Sequence, residues 1–138
     1  MHFGRLSAAA LLAWLTHLAL TSLVWGVLLP DLLPQNASLL RPPAEMNLVA
    51  GYAASLVGFF VFAYAYAKGY EGGSGIAEGL RFGVIVGLLL GCFSGVWEYV
   101  MMPVSANFAA AMIVDSIVEM VVYGMVVGAV YKPLPSRR

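Results

Sequence analysis

Four long apolar runs dictate what this chain can fold into: roughly Leu6–Leu29, Met46–Ala67, Leu80–Met102 and Ala106–Val130. Each is longer than the ~20 residues that a helix needs to cross ~30 Å of hydrocarbon. They take up most of the 138 residues, so little is left for a water-soluble domain. Composition agrees: 62% of residues are hydrophobic, 10% are charged and mean hydropathy is +0.89. A soluble domain carries about 25% charged residues. The expectation is one all-α unit over residues 1–138, a polytopic bundle of four transmembrane helices in a lipid bilayer. Arg5 before the first run resembles the start of a secretory leader. That run is too long for a leader's apolar core, and no small-x-small cleavage site precedes Trp25 and Pro30, so it reads as a retained helix.

Charge sets the expected orientation. If the helices alternate, Arg5, Lys68, Arg81, Lys132, Arg137 and Arg138 fall on one side and Arg41 alone on the other. Positive residues concentrate on the cytoplasmic side, so both termini are expected there. Trp25, Trp97, Tyr99 and Tyr131 lie near helix ends, where aromatic rings favour the interface. A formal net charge of zero gives no basic field for nucleic acid. The lone Cys92 excludes an internal disulfide and any cysteine-pair metal or redox motif. With only His2 and His17, a haem held between two buried imidazoles is not expected, and no other cofactor is implied.

The loops are plain. Residues 30–44 hold four prolines and are expected on the membrane surface, with Glu45 favouring the positive end of the second helix. The segment 68–75 is glycine-rich but lacks the Gly-Lys-Ser/Thr ending of a phosphate-binding loop, and reads as a flexible turn. A very short connection near Pro103 makes the third and fourth helices an antiparallel pair in contact. Packing has a stronger signal. Gly79, Gly83, Gly87, Gly91 and Gly95 form an unbroken stripe at every fourth residue, echoed by Gly124 and Gly128. Such stripes let backbones approach closely; the neighbour is another helix of the chain or of a second copy. A repeat is also suggested. Ser22, Val24, Trp25 and Pro30 recur as Ser94, Val96, Trp97 and Pro103, with one extra residue, and Tyr66-Ala-Lys68 recurs as Tyr131-Lys132. Copies two helices apart imply an axis along the membrane normal.

Chemistry is confined to four ionisable residues within the apolar runs: His17, Glu98, Asp115 and Glu119. No Lys or Arg lies deep in any run to neutralise the acids. At ~1.5 Å per residue, Glu98, Asp115 and Glu119 lie roughly 7, 12 and 18 Å from the outer surface, and His17 about 12 Å from it. All four could therefore share a layer about 10 Å thick. Glu98 falls on the glycine stripe; Asp115 and Glu119 share a face near Phe108, Val122 and Tyr123; His17 shares one with Thr21 and, less closely, Trp14. Two readings follow. The acids, protonated or hydrogen-bonded, fasten helices together; or they and His17 converge on a site for a proton or a cation. Intramembrane ionisable residues are costly and often mark such paths. A lipid headgroup, a quinone or a partner subunit are further occupants. Two acids at i, i+4 with one histidine are not a specific metal pattern. Three ionised carboxylates in one thin layer are opposed by desolvation and by like charge, so at least one is expected to be neutral or bridged by a cation.

The stretch Tyr66-Ala-Lys68-Gly69-Tyr70-Glu71-Gly72-Gly73, then Gly79-Leu80-Arg81-Phe82-Gly83, and the ending Gly124 to Pro133 resemble small bacterial four-helix inner-membrane proteins classed as domains of unknown function. The resemblance covers mainly the second half. It implies the four-helix fold and a bacterial inner membrane, and carries no catalytic residue. An enzyme is not expected, since no nucleophile–base pair or ligand cluster of recognised spacing is present. The leading expectation is a small proton- or cation-binding membrane protein, a homo-oligomer or a subunit of a membrane complex. The alternative is an accessory or scaffold subunit docked through its glycine faces.

Overall fold

The computed structural model describes residues 2–131. Lys132, Arg137 and Arg138, half of the residues behind the expected orientation, lie outside the described residues, as does Pro133. Four long helices form the protein: α1 (Phe3–Leu28), α2 (Leu48–Gly69), α3 (Gly75–Met101) and α4 (Ala106–Val130). Each is long and apolar enough to cross a membrane, and together they make an all-α bundle of a multi-pass membrane protein. Short helical turns at Leu32–Gln35, Ala37–Leu39 and Pro43–Glu45 fill the connection between α1 and α2. The chain alternates direction, so one end of the bundle carries this connection and the short link before α4. The other end carries Phe3, the glycine-rich loop and Tyr131.

Helix ends differ from expectation where side chains intervene. α2 is capped by Asn47, whose side chain accepts from the Ala50 N–H at 3.0 Å, while Glu45 belongs to the preceding turn. α4 is capped by Ser105 Oγ on the Phe108 N–H at 3.2 Å. α3 begins at Gly75, five residues before the expected Leu80, and Glu78 in its first turn explains the difference. The Glu78 carboxylate accepts the N–H groups of Gly73 and Glu71, the latter at 2.9 Å, and Tyr70 Oη donates to the Gly73 carbonyl at 2.6 Å. Gly72 turns the loop with φ +99, a conformation that other residues rarely adopt. The supposed flexible turn is thus a hydrogen-bonded one. Two helices also contain a π turn: Val24–Leu28 in α1, closed by Leu29 N–H to Val24 O at 2.8 Å, and Gly91–Gly95 in α3.

The α3–α4 pair is the most closely packed part of the molecule, and glycine is the reason. A Cβ added at Gly75, Gly79 or Gly83 would overlap the backbone of Gly128, Gly124 or Met120; one at Gly87 would lie 2.8 Å from the Ile117 Cα. Gly124 and Gly128 meet Gly79 and Gly75 in return. The stripe's neighbour is therefore α4 of the same chain, and Gly75 extends it by one turn. Toward the other end the approach loosens: Gly91 and Gly95 face only the Ile113 side chain. The remaining core lies between α1, α2 and α4, built from Leu6, Ala9, Ala10 and Ala13 against Phe59, Ala63, Tyr66, Tyr123, Val127 and Tyr131. Many large apolar residues remain exposed, Val49, Val57, Val61, Ile85, Phe93 and Val114 among them. That outward apolar surface suits lipid as solvent.

The suspected repeat is reflected unevenly. Tyr66 and Tyr131, its matching residues, are buried and meet edge-on at 6.4 Å between ring centres. Tyr131 thus belongs to the core and not to an interfacial belt. Trp97 is exposed and Trp25 points inward, so the two tryptophans differ in environment.

Candidate functional site: a polar ladder between α1 and α4

Antiparallel helices hold a constant sum of residue numbers along their contact. Between α1 and α4 that sum is 140. His17 Nδ1 lies 3.0 Å from Tyr123 Oη; Thr21 Oγ1 donates to Glu119 Oε1 at 2.9 Å; Trp25 Nε1 donates to Asp115 Oδ2 at 2.8 Å. These rungs recur at every fourth residue on both helices, the spacing that keeps side chains on one face. Eight residues of α-helix drift by about 80°. The π turn that opens at Val24 winds more widely and takes back part of that drift beside Trp25. Toward the opposite end the same register sets Ala13 against Val127 and Ala9 against Tyr131, all buried. There the ladder becomes plain packing.

Two of the rungs are cross-linked. Thr21 Oγ1 also lies 3.1 Å from His17 Nδ1, and Glu119 Oε2 lies 3.9 Å from the same nitrogen. Thr21 has one hydroxyl proton, which it gives to Glu119, so it accepts from His17 when Nδ1 carries a proton. When Nδ1 is bare, Tyr123 can donate to it. Phe59 of α2 closes the cluster, with ring centres 5.5 Å from His17 and 5.0 Å from Tyr123. Trp14 anchors α1 to α2 by donating to Ser55 Oγ at 3.0 Å. Asp115 is held only through Oδ2: Oδ1 is buried and has no hydrogen-bond partner among the described residues. An unpaired buried acceptor is costly and calls for an explanation.

Glu98 does not join this cluster. It is half-buried on α3 and accepts from Ser94 of its own helix at 2.7 Å. The glycine stripe packs on Gly124 and Gly128 of α4 and reaches Ile113 at Gly95, so Glu98 lies beyond Ile113 toward the start of α4, whereas Asp115 and Glu119 are bonded to α1. His17, Asp115 and Glu119 are brought together as the sequence suggests, and Thr21, Trp25 and Tyr123 complete the set. No group of three or more His, Cys, Asp or Glu side chains able to hold a metal is found among the described residues.

Two cavities meet at His17 and Ser55. The larger, about 500 Å³, lies at the end that carries the α1–α2 connection and includes Arg41, Asn47 and Tyr52 in its wall. The other, about 320 Å³, lies deeper and is bordered by Phe59, Glu119 and Tyr123. The hydrogen-bond contacts of the His17 ring to Tyr123 and Thr21 are made at Nδ1, and the residue borders both cavities.

Comparison of the chain with known protein families, with curated proteins and with solved structures returned no match.

Proposed function

We propose that this is a proton-binding membrane protein in which His17, Thr21 and Glu119 form a relay, with Tyr123 and Asp115 as supporting groups. One observation carries the reading: a single hydroxyl, Thr21 Oγ1, lies within hydrogen-bond distance of both an imidazole nitrogen and a carboxylate oxygen. A proton taken up at Nε2 from the larger cavity makes the ring cationic. The Nδ1 proton then passes to Thr21, whose own proton passes to Glu119. The reverse path retraces these two hops, and rotation of that hydroxyl resets it for another forward transfer. Histidine suits the role because its two ring nitrogens can take up a proton on one side and release one on the other. Asp115, four residues from Glu119 with one oxygen unpartnered, is the second acceptor, so the two acids titrate as a coupled pair.

In this reading the protein resides in a bacterial inner membrane with both termini cytoplasmic, and Arg41 marks the outer end. The Lys/Arg distribution supports that orientation. The relay lies within one chain and works in a single copy or a homo-oligomer; it needs no cofactor and transforms no substrate. The alternative, a scaffold subunit docked through glycine faces, loses its main support, because those glycines are occupied by the α3–α4 contact.

Infrared difference spectroscopy on protein in lipid nanodiscs, stepped over pH, tests the proposal. The wild type is expected to show a protonated-carboxyl band that appears and disappears with pH, altered by Glu119→Gln and by His17→Phe. A folded protein whose carboxyl bands do not respond to pH would overturn it.

A further inference from the structure

The deeper cavity borders two members of the relay, His17 and Glu119, beside an apolar lining that the relay does not use. Its volume of about 320 Å³ is within the range of small-molecule sites, about 300–1,000 Å³. Its polar groups gather on one side, where His17, Ser55, Tyr123 and Glu119 meet. Phe59, packed on His17 and Tyr123, and Phe62 give the lining its aromatic surface. The cavity's outlet is lateral. α2 and α3 approach each other where Phe82 packs on Phe62 and Tyr66, with ring centres 4.9 and 5.7 Å apart. Beyond that contact the cavity is bordered by Gly58 of α2 and Leu90 of α3, both exposed. Gly58 has open space where a side chain would stand. In a spanning protein that opening faces hydrocarbon, so an occupant arrives from the bilayer and not from water.

We propose that this cavity binds a lipid-soluble ring bearing a carbonyl or hydroxyl oxygen, the headgroup class of quinones, with the oxygen at His17 and Glu119 and the ring against Phe59 and Phe62. Three features select this class. The lateral mouth excludes strongly hydrated solutes. The aromatic wall suits a flat ring, since aromatic pairs favour offset or edge-on contact. The polar side offers both a donor and an acceptor: Glu119 Oε2 accepts, and the His17 ring does either according to its tautomer. The inference deepens the proton-binding reading and rests on it for the polar side of the site.

The test uses purified protein in nanodiscs titrated with menadione, which carries the ring without a tail, and read by saturable quenching of tryptophan fluorescence. Trp14, bonded to Ser55 of the cavity lining, is the neighbouring reporter. The wild type is expected to show saturable quenching above the linear background of empty nanodiscs. Gly58→Phe, which blocks the mouth, should lose it; Val61→Phe, on the exposed face of the same helix, should keep it. A second mouth variant, Leu90→Phe, guards against a folding defect at Gly58 without adding a tryptophan to the signal. Only linear quenching in the wild type overturns the inference, as does saturable quenching retained in folded variants at both mouth positions. The relay fails separately: a pH-silent carboxyl spectrum alongside saturable menadione binding would leave a ligand site without proton chemistry.

Discussion

Trp25 Nε1 and Asp115 Oδ2 show how much one side chain holds in place at this site. The indole supplies the one hydrogen bond that the carboxyl receives, and Oδ1 already lacks a partner among the described residues. Trp25→Phe keeps the ring packed near Phe108 (centres 5.8 Å apart) but removes the donor. Leaving a buried acceptor unsatisfied costs about 1–3 kcal/mol, whereas removing both partners is close to neutral. Trp25→Phe should therefore destabilise the protein by that amount in a thermal or denaturant assay, and Trp25→Phe with Asp115→Leu should recover most of it. Equal losses in the single and double variants would mean that the bond has no such role. At this scale the sequence was partly legible. The three acids and His17 were visible because no cation shares their apolar runs. Trp25 was misread as an interfacial anchor, since a tryptophan near a helix end usually is one. Its inward direction depends on which helix lies opposite.

Among the elements, α3 and α4 give the sharpest ranking. A methyl at Gly79 or Gly83 meets backbone atoms that cannot move aside, while one at Gly91 meets only a methyl of Ile113 at 3.3 Å. Gly79→Ala and Gly83→Ala are thus expected to cost about 1–3 kcal/mol by overpacking. Gly91→Ala should be close to neutral. Folding measured in detergent by proteolysis or heating checks the order; indifference at Gly79 and Gly83 would contradict the close packing. Spacing alone made this stripe readable, because four residues per step define a helix face whatever lies beside it. The sequence did not show where the regular winding stops. The π turns at Val24–Leu28 and Gly91–Gly95 have no plain residue signature. Glu78 was hidden by its place beside the glycine-rich loop. Glu78→Gln should loosen residues 69–74, seen as faster amide hydrogen exchange there than elsewhere. Unchanged exchange would remove its bracing role.

For the whole molecule, four helices and a membrane habitat followed from length and apolarity alone. The pairing α1 on α4 did not, because four apolar helices can be arranged in several ways. It becomes evident only from the constant sum of 140, which joins three polar residues of α1 to three of α4. Orientation remains a matter of charge: reporter fusions in the 35–38 loop and in the 71–74 loop should report opposite compartments, the second cytoplasmic. A shared compartment would contradict the alternation of the helices. In the proposed relay, Thr21 passes a proton between His17 and Glu119. Comparison of Thr21→Ser with Thr21→Val tests it, because serine keeps the hydroxyl and valine keeps the shape. The rate at which the Glu119 carboxyl exchanges its proton for deuterium, followed by infrared spectroscopy after a pH jump, is the measurement. Thr21→Ser should exchange at the wild-type rate, and Thr21→Val, still folded, should be slower by about tenfold or more. Exchange in Thr21→Val as fast as in the wild type would contradict the relay.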